Sequence, residues 1–209
     1  NCLFNRRQQL WLTAIVSGMT VTTLMPTAVA HASDTQSPTE SPSSDAISSP
    51  SDHAMGSQIK KHEHGPAVTG RVQTLTTDTA PEGIDVSSYD GDVDWPAKVS
   101  SGMSFAWVKA TEGTSYQNPF FTSQYNGSQS AGLIRGAYHF ALPSNSSGKD
   151  QATYFSDHGG GWPGDGYTLP GTVDLEYNPY GTNACYGLNQ TAMASWIRDF
   201  VSTYRNRWG

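Results

Sequence analysis

Positive charge and cysteine are scarce in this sequence, and the common metal and nucleotide motifs are missing from it. Twelve Lys and Arg residues stand against 18 Asp and Glu, so the formal net charge is −6. Because nucleic-acid phosphates require a basic protein face, this balance argues against nucleic-acid binding. No CxxC, HExxH or glycine-rich phosphate loop occurs, which argues against a zinc protease, a P-loop enzyme and a Rossmann dehydrogenase. We therefore expect neither a cofactor nor a metal.

Charged residues of either sign are also few, at 14% of the 209 residues, whereas 21 glycines and 6 tryptophans are present. This composition is typical of an exported protein that handles a neutral polymer such as a glycan. The length allows one domain of ordinary size. The composition nevertheless changes along the chain, which divides it into residues 1–32, 33–82 and 83–209.

Residues 1–32 have the pattern of an export signal. The pair Arg6-Arg7 precedes a mostly apolar run over residues 10–29, and an A-x-A cleavage site ends at Ala32. A transmembrane anchor is the alternative, but the run is short for a bilayer and is interrupted by Thr, Ser, Gly and Pro. The arginine pair leaves Sec and twin-arginine export both open. We predict a secreted protein that does not stay inserted in a membrane once the signal is removed.

Residues 33–82 are rich in Ser, Thr, Pro and Asp and nearly free of aromatic side chains. Such a segment buries too little apolar surface to offset the entropy of ordering it. We predict a disordered linker or propeptide. We interpret its histidines, His53, His62 and His64, as part of a solvated tract rather than as a metal site, because nothing orders them.

Residues 83–209 alternate strand-like and helix-like patterns, which predicts an α/β domain. The expected strands are Gly83–Ser87, Phe105–Ala110, Leu133–Ala141 and Thr172–Tyr177, and the expected helices between them are Trp95–Val99, Phe120–Ser130 and Asp150–His158. A last helix carries one apolar stripe from Met193 to Tyr204, with Asn189 in place to cap it. The order βαβαβαβα implies parallel strands with right-handed crossovers.

Four β/α units are too few to close a barrel of about eight strands. Because the chain stops at Gly209, just after a helix, and starts with Asn1 rather than Met, we expect both ends to be truncated and further strands to follow. Removal of the signal would also remove Cys2 and leave Cys185 as the only cysteine. We predict that Cys185 pairs with a cysteine beyond residue 209, with a free buried thiol as the alternative.

A pair of acidic residues, Asp174 and Glu176, lies at the end of the fourth expected strand. Side chains at i and i+2 point to one face of a strand, so these two should meet at the mouth of the sheet. Two like charges that close raise one pKa, and a protonated acid beside an ionised carboxylate is what glycoside hydrolysis requires. An isolated D-x-E is a weak motif, but chemistry in α/β barrels lies at this end of the strands.

Two more acidic residues belong to the first two expected strands. Asp85 alternates with the apolar Ile84 and Val86 on the first strand, which predicts a functional carboxylate on the opposite face. Glu112 follows the second strand, and Lys109 could pair with a carboxylate and hold its charge. A turn or helix cap is the alternative for acidic residues at such places.

Aromatic residues also gather near the strand ends, where sugar rings could stack on them, with core packing as the alternative. Tyr138 and His139 lie at the end of the third strand, and Tyr177 follows Glu176 directly. We predict substrate-binding roles for these three residues and for Lys109. For His139 a plain core position stays open, and no set of metal ligands is evident around it.

Four segments, in this order, resemble the family 25 glycoside hydrolases, the Chalaropsis-type lysozymes. They are Gly83-Ile84-Asp85-Val86-Ser87, Val108-Lys109-Ala110-Thr111-Glu112-Gly113, Gly136-Ala137-Tyr138-His139-Phe140 and Val173-Asp174-Leu175-Glu176. The Lys-Ala-Thr-Glu-Gly segment, in register with the first-strand Asp and the D-x-E, is the specific part. The resemblance runs from about Gly83 to Gly209. It implies an irregular, TIM-like β/α barrel, here with its first four β/α units.

The resemblance implies a secreted muramidase that cuts the β-1,4 bond between N-acetylmuramic acid and N-acetylglucosamine in bacterial peptidoglycan. By position, Glu176 resembles the general acid, and Asp174 resembles the residue that steers the substrate's acetamido group or stabilises charge. Asp85 resembles the first-strand carboxylate of the family, and Glu112 matches an active-site motif residue. The segment at Cys185 resembles actinobacterial members, in which such a cysteine bridges to a later one. Other site residues of the family come from late strands, which this chain does not contain.

Two other classes of protein stay open. A non-catalytic module that binds cell-wall glycan would keep the cleft without the chemistry, and the intact carboxylates argue against it. A metal-dependent sugar deacetylase needs a His/Asp ligand set, which His139 and His158 do not evidently form. We expect a monomer that acts on peptidoglycan.

Overall fold

The computed structural model describes residues 53–63 and 80–209. The predicted signal over residues 1–32, with its arginine pair and its alternative as a membrane anchor, lies outside the described residues. So do residues 33–52 and 64–79 of the predicted linker. Among the residues that the structure describes, no helix has the length and apolar character needed to cross a membrane.

Five strands and five helices make up the described part of the chain, together with a 3-10 turn at Ser88–Asp90. The strands are β1 (Glu82–Val86), β2 (Met103–Glu112), β3 (Tyr116–Gln117), β4 (Ile134–Phe140) and β5 (Thr172–Asp174), and the helices are α1 (Ser57–His62), α2 (Trp95–Ser100), α3 (Phe121–Ser130), α4 (Gly148–Asp157) and α5 (Gln190–Trp208). The expected strands and helices of residues 83–209 are thus confirmed, with β2 longer and β5 shorter than expected.

The sheet has the order β1-β2-β4-β5, and these four strands are parallel to one another. Helices α2, α3 and α4 lie in the connections between them, as the alternating pattern predicts. The short strand β3 was not expected and pairs with β2 in antiparallel fashion. Parallel strands all end at the same edge of a sheet, so the loops that follow β1, β2, β4 and β5 come together there.

Side-chain caps set the starts of the main helices. Asn189 accepts a hydrogen bond from the backbone N–H of Ala192 at 2.9 Å, which confirms the predicted cap of α5. Ser147 caps α4 through the N–H of Asp150 in the same way. The apolar stripe of α5 packs on α4 and on the sheet, as its spacing predicts.

The apolar residues form a core between the sheet and helices α4 and α5, which we call the helix-side core. Its buried members are Ala110, Ala137, Ala141, Ala152, Phe155, Trp196, Phe200 and Tyr204. A second cluster, centred on Val86 and Trp95, packs β1 and β2 against α2, with Ile84 at its margin. The predicted apolar face of β1 is therefore confirmed, and its alternation leaves Asp85 on the other side.

Residues 53–63 are a correction to the predicted disordered linker. They are ordered, they include helix α1, and Gln58 within them is buried. The physical reason is that this segment does not need a core of its own. It lies against the strand ends of the α/β domain and satisfies its backbone groups there.

Candidate active site

The predicted acidic residues come together at the carboxyl ends of the parallel strands. Asp85 lies on β1, Glu112 at the end of β2, Asp174 at the end of β5, and Glu176 two residues farther on. Glu112, Asp174 and Glu176 are all buried, at 2%, 8% and 1% exposure. Buried carboxylates need charged or hydrogen-bonding partners, so the partners of each one define what the site can do.

A bulge in β2 places Lys109 and Glu112 on the same side of the sheet. Lys109 pairs with Tyr138 of β4 and Thr111 pairs with His139, so Ala110 is an extra residue in β2. A bulge shifts the alternation of side chains by one position. Residues three apart therefore face the same side, and Lys109 Nζ lies 2.6 Å from Glu112 Oε2. The predicted pairing of Lys109 with a carboxylate is confirmed.

Glu112 is held as a carboxylate by several donors. Burial by itself raises the pKa of Glu112, but hydrogen bonds from His53 and Lys109, the charge of Lys109 and a hydrogen bond from Tyr180 outweigh it and lower the pKa. The Tyr180 hydroxyl donates to Glu112 Oε1 at 2.6 Å. Tyr180 belongs to the aromatic loop after Glu176, and its role as a carboxylate partner was not predicted.

Asp174 and Glu176 meet, although β5 ends at Asp174 and Glu176 follows it in an irregular stretch. Burial raises the pKa of Asp174 well above its usual range, and the charge of Glu176 and a hydrogen bond with Glu176 raise it further. The pair is therefore a buried acid beside a second carboxyl, as the D-x-E spacing predicts.

Asp85 is the exposed member of the set, on edge strand β1. Partial shielding of its carboxyl raises the pKa of Asp85, and the charges of Asp90 and Glu176 add to this rise. The field of Glu176 thus reaches Asp85 across the strand ends. The predicted alternative of a turn or helix cap applies instead to Asp90, which accepts a hydrogen bond from the Ser87 N–H in a capping box.

His139 is the predicted substrate-binding residue that the structure does not bring to the site. It is fully buried on the helix side of β4 and stacks near Phe155 and Phe200. Its Nε2 lies 3.0 Å from Gln151 Oε1, and its Nδ1 lies 2.8 Å from the Thr111 hydroxyl. Burial lowers the pKa of His139 to about 4. The core position that the sequence left open is the one observed, because the bulge and the alternation of β4 turn this ring away.

The two predicted tyrosines do lie at the site. Tyr138 is buried beside Lys109 on the site side of β4, and its hydroxyl accepts a hydrogen bond from the Met55 N–H at 3.3 Å. Tyr177 stands half-buried after Glu176, and its ring stacks on His62 with centroids 4.9 Å apart. Both contacts are to the segment of residues 53–63, which sequence analysis did not connect with the site.

The segment of residues 53–63 lies directly on the carboxylates. The backbone N–H groups of Gln58 and Ile59 donate to Glu176 Oε2 at 2.6 and 3.1 Å, and the N–H of Gly56 donates to Glu176 Oε1. His53 donates its backbone N–H to Glu112 and places its ring 2.9 Å from the same carboxylate. No sequence pattern signalled these contacts, because backbone groups make most of them.

The histidines and cysteine fit no metal centre in the part of the chain that the structure describes, where no group of three or more His, Cys, Asp or Glu is arranged for an ion. His158 Nδ1 lies 2.7 Å from the carbonyl oxygen of Tyr154. Cys185 takes part in a disulfide bond. The free buried thiol that the sequence left open as an alternative is therefore not observed. The pairing with a cysteine beyond residue 209, which this sequence does not contain, stays a prediction.

Comparisons with known proteins agree on one family. Residues 84–209 match the family model of the Glycosyl hydrolases family 25. Lysozyme M1 of Streptomyces globisporus is 47% identical over 156 residues, which is 75% of this chain and 50% of the relative. The N,O-diacetylmuramidase of a Chalaropsis species is 51% identical over 127 residues, which is 59% of each chain.

The fold is shared as well. The crystal structure of the bacterial lysozyme from Streptomyces coelicolor superposes with a TM-score of 0.61 at 50% identity, over 63% of this chain and 60% of that one. This chain thus spans half to about three-fifths of the length of these relatives.

The match with lysozyme M1 is longer than the α/β domain. A match of 156 residues that covers 75% of this chain reaches back to about residue 54, and so into the segment of residues 53–63. The parallel sheet with its intervening helices, the carboxylates at the strand ends and the match over residues 84–209 lead to the same conclusion. The chain belongs to the Glycosyl hydrolases family 25, with the irregular α/β barrel fold of that family.

Proposed function

We propose that this chain is a muramidase, which hydrolyses the β-1,4 bond between N-acetylmuramic acid and N-acetylglucosamine in bacterial peptidoglycan. The observation that supports it most directly is the buried Asp174–Glu176 pair at the strand ends, with the pKa of Asp174 raised well above its usual range. Glycoside hydrolysis needs one carboxyl that can give a proton and a second that stays in place beside it. The names of the relatives agree with this proposal.

Glu176 is the proposed general acid. Its carboxyl is buried at the end of the sheet and lies against Asp174. In this role Glu176 gives a proton to the glycosidic oxygen as the bond to the leaving sugar breaks. Asp174 then holds the substrate's acetamido N–H or stabilises the charge that develops on the sugar ring.

The nucleophile has two candidates. The carbonyl oxygen of the substrate's own acetamido group can attack the anomeric carbon, which is a known exception to the two-carboxylate scheme, or a carboxylate can attack directly. Asp174 suits the first route, because a carboxyl oxygen beside the acetamido group can accept its N–H and orient it. Water completes both routes by attack on the intermediate, with return of the proton to Glu176.

Asp85, Glu112 and Lys109 complete the proposed site. Asp85 shares the field of Glu176 and lies on β1 at the same end of the sheet as the other carboxyls. Glu112 is held ionised by Lys109 and Tyr180, so it offers a fixed acceptor for sugar hydroxyl groups. Tyr138 and Tyr177 would border the sugar rings, since aromatic faces and sugar C–H groups pack well.

We also propose that the protein is exported by the signal predicted in residues 1–32, acts as a monomer and does not stay in a membrane after signal removal. The substrate is a polymer outside the bacterial membrane, so an exported enzyme meets it directly. The low content of charged residues agrees with a substrate that is largely neutral carbohydrate.

Digestion of purified peptidoglycan tests the proposed bond. The products are reduced with borohydride, and the reduced terminal sugar is identified by mass spectrometry. Reduced muramic acid is the expected result, because cleavage after muramic acid leaves that sugar at the new reducing end. Reduced glucosamine would contradict the bond assignment but keep a glycosidase. Wall binding without new reducing ends would contradict the proposed hydrolysis and favour a non-catalytic glycan-binding module.

A further inference from the structure

We propose that residues 53–63 are an intramolecular plug, which fills the substrate cleft of the chain and keeps the glycan away from the carboxylates. The inference that the cleft is a substrate cleft rests on the proposed function. The occupation of the cleft rests on contacts of the segment with four separate parts of the site. We call this stretch the plug segment.

The first contact is with the proposed acid. Both oxygens of Glu176 accept backbone N–H groups from the plug segment, one from Gly56 and the other from Gln58 and Ile59, the last two at 2.6 and 3.1 Å. With both oxygens occupied in this way, Glu176 has no free oxygen to meet the glycosidic oxygen of a leaving sugar.

The second contact is with the paired charges of β2. Lys109 Nζ donates to the carbonyl oxygen of His53 at 2.6 Å, while Glu112 accepts both the backbone N–H and the ring nitrogen of His53. The His53 ring also packs on Phe140, with centroids 5.3 Å apart. One residue of the plug segment therefore engages both members of the buried ion pair.

The third and fourth contacts are with the tyrosines that border the site. The Met55 N–H donates to the Tyr138 hydroxyl, and the Tyr177 hydroxyl donates to Glu63 at 2.8 Å. His62 stacks on the Tyr177 ring. The side chains of Lys60 and Lys61 are exposed. The plug segment therefore presents its backbone and histidines to the site and its lysines to solvent.

The chemistry of these contacts resembles that of an amino-sugar substrate. The peptide N–H and C=O groups that meet Glu176, Lys109 and Glu112 are amides, like the acetamido groups of the glycan. The His53 and His62 rings lie on aromatic neighbours, where sugar rings would lie. Because the plug segment is tethered to the domain, its effective concentration is on the order of millimolar, so free substrate competes with it at a disadvantage.

The similarity to lysozyme M1 supports a role for the plug segment. That match reaches back to about residue 54, well before the family domain at residue 84. A segment that only linked the domain to a signal would not need a counterpart in the relative. A segment that fits the site would, because its path must place Gly56, Gln58 and Ile59 on Glu176.

Gly56 offers a matched pair of variants for a test in the full chain. Its φ is +77°, and a Cβ built there meets nothing within 4 Å, so the left-handed backbone conformation is the constraint that a substitution meets first. Asn tolerates this left-handed region, whereas a β-branched residue does not. We expect Gly56→Asn to keep the plug in place and Gly56→Val to displace it.

Chemical labelling of carboxyl groups measures the plug without any substrate. The original chain, Gly56→Asn and Gly56→Val are each treated with a water-soluble carbodiimide and an amine. Modification of Glu176 and Glu112 is then measured by mass spectrometry. We expect little labelling of either residue in the original chain and in Gly56→Asn, and at least about 10-fold more in Gly56→Val. Amide exchange at Gln58 and Ile59 should rise in the same variant. Equal labelling in all three proteins, or free exchange of these amides in the original chain, would overturn the plug.

Peptidoglycan hydrolysis by the same three proteins separates this proposal from the proposed function. We expect Gly56→Val to hydrolyse at least about 10-fold faster than the other two, since the fraction of open sites sets the apparent rate. Increased labelling of Gly56→Val without any hydrolysis would support the plug proposal and contradict the proposed muramidase activity. Opening of the site with equal hydrolysis in all three proteins would overturn the plug as a barrier to substrate.

Discussion

The two sides of the sheet bury polar groups in different ways. On the helix side, His139 and Gln151 form a closed set with Thr111 and the backbone of Leu142, and apolar rings surround them. On the site side, Glu112, Asp174 and Glu176 are also buried. Here Asp174 lies against Glu176, and Glu112 and Glu176 form hydrogen bonds with the plug segment. Burial alone therefore does not mark a functional residue.

The hydrogen-bonding and charged partners of a buried polar group distinguish a functional residue from a structural one. A buried polar group that is fully matched within one packed layer contributes to a unique core and rigidifies it. A buried carboxyl that faces a second carboxyl costs stability, because like charges in a shielded place repel. Proteins retain this loss of stability at active sites, where the reaction requires both carboxyls. The following predictions test this difference between the site side and the helix side.

The largest expected effect is on activity, from the site side. Glu176→Gln keeps the shape of the side chain but removes the proton that the proposed acid gives to the leaving sugar. We expect peptidoglycan hydrolysis to fall by about 10³-fold, in the range typical of general acids. Glu82→Gln, at the far end of β1, is the matched control and should keep full activity. An unchanged rate in Glu176→Gln would remove Glu176 from the acid role.

The largest expected effect on stability comes from the helix side. Phe155 is fully buried in the helix-side core and packs near the rings of Phe200 and Tyr204. We expect Phe155→Ala to lower the free energy of unfolding by about 3–5 kcal/mol, since it leaves a cavity in a packed layer. Thr153→Ala, at an exposed position of the same helix, is the control for urea denaturation. A loss below about 1 kcal/mol would contradict the assignment of this layer as the main core.

A smaller effect depends on pH and again concerns the helix side. The folded pKa of His139 is about 4, below its ordinary value of 6.5, because burial disfavours the charged ring. The unfolded chain therefore binds this proton first, and stability falls as the pH falls from about 6.5 to 4, by roughly 1.4 kcal/mol per pH unit. His139→Gln should remove this slope in denaturation curves measured across that range. A slope that persists in the variant would show that another group causes it.

The smallest expected effect concerns Asp174 on the site side, where the free energy of unfolding falls as the pH rises, the opposite of the trend for His139. The pKa of Asp174 is raised by burial and by Glu176, so the folded chain keeps a proton that the unfolded chain loses above about pH 4. Stability from this group is thus present in acid and is lost as the pH rises. We expect Asp174→Asn to raise the free energy of unfolding at pH 7 by on the order of 1 kcal/mol, with the gain vanishing near pH 4. If Asp174→Asn lowered the free energy of unfolding at pH 7, the unfavourable contact assigned to Asp174 and Glu176 would be contradicted.

Most of the sheet and its helices could be predicted, because their signals are local. The stripe of α5 with Asn189, and the alternation of Ile84 and Val86 around Asp85, follow from spacing alone. The end of β5 at Asp174 was not predicted, and neither was the bulge at Ala110. Bulges and strand ends depend on pairing with a neighbouring strand, which local pattern does not contain.

The site was predicted in part for the same reason. The acidic residues carry the chemistry in their side chains, so position on a strand was enough to find Asp174, Glu176 and Glu112. For His139 substrate binding and a core position were both left open, because two adjacent residues of a strand face opposite sides and the sequence does not tell which side carries the site. The plug segment was missed altogether, since its contacts come from backbone N–H groups that every residue possesses.

By itself the amino-acid sequence determined the order of strands and helices, the family and the set of acidic residues at the strand ends. The order of the elements and the acidic set follow from periodicity and residue types, which are properties of neighbouring positions, and the family follows from the resemblance of four segments to its members. The tertiary structure decided how deeply Asp174 is buried, which face His139 occupies and what covers Glu176. Those outcomes depend on groups far apart in the chain, such as Gln58 and Glu176, whose proximity arises only when the chain folds.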